Sequence, residues 1–101
     1  MKYENEVNYV SNSSFAGVEA LVDGVVIKIE KSNNNYTIHV QASDGMIYEY
    51  SNLESVDVNI YEYIAQKEVI AKAKYIDNQF TFELKIRKNN KYYSYYENCE
   101  N

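Results

Sequence analysis

Thiol chemistry in this chain would depend on a single side chain. Cys99 is the only cysteine and lies in the polar stretch 97–101, far in sequence from His39, the only histidine. A cysteine nucleophile needs a base beside it, so we interpret Cys99 as a bystander thiol. One cysteine also excludes an internal disulfide bond and a cluster of thiolate metal ligands.

Imidazole chemistry would depend on His39 alone. His39 alternates with Ile38 and Val40, so its side chain is expected on the opposite face of a strand. As a metal ligand it would need further ligands beside it. A surface or cross-strand histidine is therefore the favoured interpretation.

Acid–base chemistry would need a pair of carboxylates. Asp57 with Glu62, or Glu49 with Glu54, would in principle supply an acid and a base. The chain has 15 acidic residues, however, and solvated carboxylates are the commoner case. We therefore expect no catalytic pair among them.

The overall charge argues against a nucleic-acid partner. The net charge is -5, and the basic residues are scattered apart from the run 85–88 and Lys91, whereas phosphate binding needs clustered lysine and arginine. No cofactor is expected. The sequence contains no apolar stretch of about 18 residues that would span a membrane, and no signal peptide.

The elements that must position these side chains are strands. Because proline is absent and only three glycines occur, the turns must rely on asparagine, aspartate and serine. Residues 52–55 are interpreted as one such turn. Apolar residues alternate with polar ones at the period of half-buried strands over residues 25–30, 36–41, 56–60 and 79–87, and residues 46–50 and 69–75 are interpreted as further strands.

This pattern predicts one all-β domain. We expect a compact antiparallel β-sandwich with little or no helix over residues 15–96. A polar N-terminal segment, residues 1–14, would precede it, and a short tail, residues 97–101, would follow.

The order of several motifs resembles that of LytM-type domains of peptidase family M23. Residues 18–26 are similar to the family's V-x-A-x-x-D-G-V-V segment, residues 50–53 to its Y-G-H-L element, and residues 79–83 to its H-x-H-F-E strand. Residues 58–71 fit the spacing of a glycine-containing segment in which this chain has Tyr61, Lys67 and Ala71 at glycine positions. The resemblance implies a LytM-type β fold.

The resemblance also implies that the zinc site is degenerate. Active members bind zinc through an H-x-G-x-D motif and the last histidine of H-x-H. Here Glu4 and Asn8 correspond to the His and Asp of H-x-G-x-D, Gln79 and Thr81 correspond to the two histidines of H-x-H, and Asn52 stands at the histidine of Y-G-H-L. Catalytic zinc needs about three nitrogen or oxygen ligands and an open position for water. We therefore expect a pseudopeptidase without zinc, which is not an enzyme.

Residues 53–64 resemble degenerate LytM domains of bacterial sporulation proteins. This likeness implies an extracytoplasmic, membrane-anchored protein in the intermembrane space of the developing spore. Its partner would be another protein, in the first place an intramembrane metalloprotease complex that it regulates, with a channel complex as one alternative. A small stand-alone inhibitor or immunity protein is the other alternative, and peptidoglycan binding is less favoured. A biotinyl or lipoyl carrier is disfavoured because Lys67 lacks the flanking residues.

Two surfaces are candidates for partner binding. One is the face that bears Gln79 and Thr81, the floor of the former groove. The other is an exposed edge strand formed by Tyr92, Tyr93, Tyr95 and Tyr96, which would accept a partner strand. The alternative interpretation is that these tyrosines only cover the sheet.

Overall fold

The computed structural model describes residues 8–12, 14–89 and 91–93. In these residues the prediction of an all-β, antiparallel fold is confirmed, and no helix is present. The strands are β1 Asn8–Asn12, β2 Gly17–Glu19, β3 Gly24–Ser32, β4 Asn35–Ala42, β5 Ile47–Val56, β6 Tyr63–Ile64, β7 Val69–Ile76, β8 Gln79–Lys88 and β9 Lys91–Tyr93.

All of these strands belong to one continuous sheet. Its main path runs β1-β8-β7-β5-β4-β3-β6, while β2 pairs with β7 and β9 pairs with β8. The strand β1 lies inside the segment predicted to precede the domain, and it pairs along β8 from Asn8 opposite Leu84 to Asn12 opposite Phe80. Residues 8–12 are thus part of the sheet.

The sheet changes partners in the middle of β5. Up to Ser51 this strand pairs with β8, and from Leu53 onward it pairs with β7. Asn52, between them, has a positive φ of 60°, a conformation that asparagine tolerates better than most residues. The turn predicted over residues 52–55 is therefore wrong: Asn52 redirects the strand without ending it.

The core lies on one face of this bent sheet. On β8 the side chains of Phe82, Leu84 and Ile86 are buried, and those of the intervening residues are more exposed, which is the alternation predicted from sequence. Tyr50 is also fully buried, and its hydroxyl accepts a hydrogen bond from the Leu21 amide at 3.0 Å. The outward face of the same strands carries the polar residues that form the candidate site.

At two corners of the chain, residues other than glycine have the positive φ values that glycine adopts most readily. Tyr61 and Lys67, which stand at glycine positions of the motif, have φ values of 68° and 75°. The Lys67 amide donates to the Ala20 carbonyl at 2.7 Å, and the Tyr61 amide donates to the Val26 carbonyl at 2.6 Å. Tertiary hydrogen bonds thus hold a conformation that costs about 1–2 kcal/mol in residues other than glycine.

Candidate functional site

Gln79 and Thr81, which the resemblance aligns with the two histidines of H-x-H, lie on the outward face of β8. Gln79 begins β8 and is exposed, and Thr81 follows two residues later on the same face. The hydroxyl of Thr81 lies 3.2 Å from that of Ser11 on β1, at hydrogen-bond distance. Thr81 therefore has a neutral partner at the place where active relatives present an imidazole.

Asn52 belongs to the same region because of the strand junction. Its neighbour Ser51 pairs with Glu83 of β8, and its other neighbour, Leu53, pairs with Ala73 of β7. The junction of β5, β7 and β8 thus brings Asn52 towards the segment that carries Thr81. Two residues were aligned with the H-x-G-x-D motif. Glu4 lies outside the described residues, and Asn8 is described only in its backbone, opposite Leu84.

These side chains do not fit a catalytic zinc ion. Gln79 and Asn52 offer neutral amides and Thr81 a hydroxyl already close to Ser11, whereas zinc in proteins is bound by imidazole, thiolate and carboxylate groups. Across residues 8–12, 14–89 and 91–93, no three histidine, cysteine, aspartate or glutamate side chains are grouped so as to hold a metal. No hydrolytic step is therefore derived for this site.

A polar row that the sequence analysis missed crosses the outward face further along β8, towards the end of that strand. It consists of Glu30 on β3, His39 on β4, Glu49 on β5 and Arg87 on β8. His39 Nε2 lies 2.8 Å from Glu30 Oε1, and Nδ1 lies 4.0 Å from Glu49 Oε2. Arg87 in turn donates a hydrogen bond from Nε to Glu49. Charged groups of four strands are thus linked across the sheet.

The surface position expected for His39 is wrong, while its cross-strand role is confirmed. The side chain of His39 is only 9% exposed, and its Nδ1 is buried without a hydrogen-bond partner. A β-bulge near Ile27 brings Lys28 opposite His39 and sets Glu30 diagonally across from it. The outward alternation of Glu49 and Arg87 was visible in the sequence, but the bulge was not.

Glu30 is electrostatically tied to this row. Its hydrogen bond with His39, and secondly its hydrogen bond with Lys28, lower the pKa of the Glu30 carboxyl below its ordinary value. Lys28 Nζ lies 3.3 Å from Glu30 Oε2. Because a carboxylate that accepts hydrogen bonds is favoured in its charged form, Glu30 stays ionised while it is held by these two donors.

Three of the four carboxylates considered as acid–base pairs, those of Glu49, Glu54 and Glu62, have other partners. Glu49 binds Arg87, and Glu54 lies 4.0 Å from Lys74. Glu62 Oε1 accepts a hydrogen bond from the Asn59 amide at 2.9 Å. The expectation of solvated carboxylates fits Glu54, which is 65% exposed, but not Glu49, which is 13% exposed.

The predicted edge strand is only partly described. Tyr92 and Tyr93 lie in β9, which pairs with β8 from Ile86 opposite Tyr93 to Lys88 opposite Lys91. Only their backbone is described, and Tyr95 and Tyr96 lie outside the described residues. The strands β9 and β1 follow each other along one edge of β8.

Comparison with known proteins establishes the family. The model of peptidase family M23 matches residues 7–95, and the chain belongs to this family. The fold is also similar to a chain of the solved SpoIIQ-SpoIIIAH pore-forming complex, with 26% sequence identity and a TM-score of 0.66. The alignment covers 75% of this chain and 51% of that chain, so this chain spans about half of its length.

None of the curated proteins matches the chain significantly. In the part of the chain that the structure describes, no helix is long and apolar enough to cross a membrane. Of the two sporulation roles considered from sequence, the solved neighbour corresponds to the channel-forming one, that of stage II sporulation protein Q.

Proposed function

We propose that this chain is a catalytically inactive M23 domain that acts as a protein–protein interaction module in bacterial sporulation. The observation that carries the proposal is the replacement of both histidines of H-x-H, the last of them a zinc ligand in active members, by Gln79 and Thr81, with Asn52 at the histidine position of Y-G-H-L. Zinc hydrolysis needs imidazole or carboxylate ligands around an open water position. The M23 fold, retained without its catalytic ligands, would then act by binding another protein.

The sporulation role is supported by the solved neighbour. That protein is part of a pore-forming complex, and a stage II Q type channel component is the version of the proposal that this likeness favours. Regulation of an intramembrane metalloprotease, as in stage IV sporulation protein FA, is the second version. In either case the module would face the space between the two membranes as part of a membrane-anchored protein.

Two surfaces are proposed to receive the partner. The first is the outward face around Gln79 and Thr81, which is polar and partly exposed. The second is the edge where β9 pairs with β8 and which continues towards Tyr95 and Tyr96. A strand added at that edge would gain main-chain hydrogen bonds.

The catalytic part of the proposal is tested by metal binding and cleavage. Zinc titration of the purified protein by calorimetry, combined with a peptidoglycan digestion assay, should show neither stoichiometric tight binding nor cleavage. An active M23 peptidase serves as the positive control for both assays. Tight binding of one zinc per chain together with cleavage would overturn the proposal.

The binding part is tested with a defined partner. The SpoIIIAH-type protein from the same organism should bind the purified domain in calorimetry, and truncation before Tyr92 should weaken this binding if β9 forms the interface. A stand-alone inhibitor would instead bind neither this protein nor an intramembrane protease complex.

A further inference from the structure

One corner of the sheet exposes an unusual amount of apolar surface. The aromatic corner, residues 59–63, carries Ile60, Tyr61 and Tyr63, which are 48%, 75% and 68% exposed. Their neighbours Val58 and Ile64 are buried and anchor the corner to the core. Beside Tyr63 the surface forms a depression of about 360 Å3, which Asp23 and Gln41 help to line.

Tyr61 is held in a strained conformation by bonds on both sides. Its φ is 68°, and its amide donates to the Val26 carbonyl while the Val26 amide donates to the Glu62 carbonyl at 2.9 Å. Within the corner, the Asn59 amide donates to Glu62 Oε1 at 2.9 Å and the Glu62 amide donates to the Asn59 carbonyl at 3.1 Å. The ring is therefore presented on a fixed backbone.

This combination is costly for the isolated domain. Glycine would adopt the same backbone without strain, and a ring that is 75% exposed recovers little through burial. Strained conformations of this kind occur preferentially at functional sites, and rigid aromatic side chains are common anchors of protein interfaces. The exposed ring of Tyr61 therefore adds little to the stability of the domain and is suited to contact another protein.

The charge around the corner indicates the chemistry of the partner. Asp57 and Glu62 are the charged residues of the stretch 57–63, which has no lysine or arginine, and Asp23 lines the adjacent depression. Electrostatic complementarity selects a partner surface of opposite sign. A partner at this corner must therefore combine an apolar pocket with basic residues around it.

We propose that the aromatic corner is a docking surface for a protein partner that receives Tyr61 in an apolar pocket rimmed by lysine or arginine. The inference rests on the proposed function in that the module binds protein, and it assigns the contact to a surface other than the former zinc groove or β9. Tyr61 is the anchor, Ile60 and Tyr63 extend the apolar contact, and Asp57 supplies complementary charge.

The experiment is site-specific photocrosslinking with the full-length protein in sporulating cells. The photoreactive amino acid p-benzoylphenylalanine replaces Tyr61, Tyr63 or Thr81 in separate strains. Tyr75, near the C-terminal end of β7 and 61% exposed, is the matched aromatic control outside the aromatic corner. Positions 61 and 63 should crosslink to the same protein, and mass spectrometry should map the crosslink to an apolar segment flanked by lysine or arginine.

Binding and stability of purified variants provide the second measurement. With the crosslinked protein as ligand, Tyr61→Gly should weaken binding at least tenfold in calorimetry while raising the Tm, because it removes the anchor and relieves the backbone strain. Asp57→Asn should weaken binding less and reduce its dependence on salt. Opposite effects of Tyr61→Gly on binding and on stability are not expected of a merely structural residue.

Each other outcome overturns the inference in a distinguishable way. Crosslinks from Thr81 but not from positions 61 and 63 would retain the interaction module and reject this surface. Equal crosslinking from Tyr75, or a mapped segment that is acidic, would also reject it. No crosslink from any position would reject this surface but not the interaction module, which would bind through β9 and would then be tested by the calorimetry with the SpoIIIAH-type protein.

Discussion

His39 and Glu30 are joined across β3 and β4 through a contact of 2.8 Å between Nε2 and Oε1. The same ring has its Nδ1 buried without a hydrogen-bond partner, 4.0 Å from Glu49 Oε2. One imidazole therefore lies between two carboxylates on the outward face of the sheet, and it links the outer strand β3 to the central strand β5.

The lowered pKa of Glu30 predicts a pH dependence of stability. Because the folded-state pKa is below that of the unfolded chain, the contribution of Glu30 is fully present above its ordinary pKa and is lost as the pH falls through the lowered folded value. His39→Phe should raise the pKa of Glu30 measured by NMR titration and flatten the acid limb of the stability curve. Lys28→Met should raise it less, and an unchanged pKa in His39→Phe would contradict this account.

Loss of the cation from the Glu49–Arg87 pair should be destabilising. Glu49 is 13% exposed and Arg87 27%, so Arg87→Met leaves a mostly buried carboxylate without its partner. We expect the free energy of unfolding to fall by about 2 kcal/mol, measured by urea denaturation. The double variant Arg87→Met with Glu49→Leu should recover most of this loss. A double variant less stable than Arg87→Met would show that the charge pair was not the cause.

The buried hydroxyl of Tyr50 makes a specific contribution. Tyr50→Phe removes the acceptor for the Leu21 amide, and an unsatisfied backbone donor in this position should cost about 1–2 kcal/mol of unfolding free energy. Tyr75→Phe is the matched control, since Tyr75 is 61% exposed, and it should change stability by less than about 0.5 kcal/mol. Equal effects of the two substitutions in urea denaturation would contradict the assignment.

The left-handed residue at the second corner predicts a stabilising substitution. Lys67→Gly relieves a φ of 75° and leaves the amide bond to Ala20 in place, so the unfolding free energy should rise by about 1 kcal/mol once the greater unfolded-state entropy of glycine is included. Lys72→Gly, in the exposed part of β7, should instead lower it by about 0.5–1 kcal/mol. A loss of stability in Lys67→Gly, followed by thermal denaturation, would refute the strain argument.

Much of the strand pattern could be predicted because it is local. The alternation of Phe82, Leu84 and Ile86 with polar neighbours fixes which face of β8 is buried, since successive side chains of a strand point to opposite faces. The substitutions at Gln79 and Thr81 are likewise visible without coordinates. The sequence alone therefore determined the all-β class and the buried face of the main strand.

The tertiary structure decided how these strands meet. The bulge near Ile27 places Glu30 within reach of His39, and the left-handed residue Asn52 transfers β5 from β8 to β7. Likewise, the backbone amide of Tyr61 donates its hydrogen bond to Val26, which is remote in sequence. Pairing between segments remote in sequence depends on register and on backbone turns, which side-chain alternation does not encode. Only the folded chain reveals the polar row and the fixed aromatic corner.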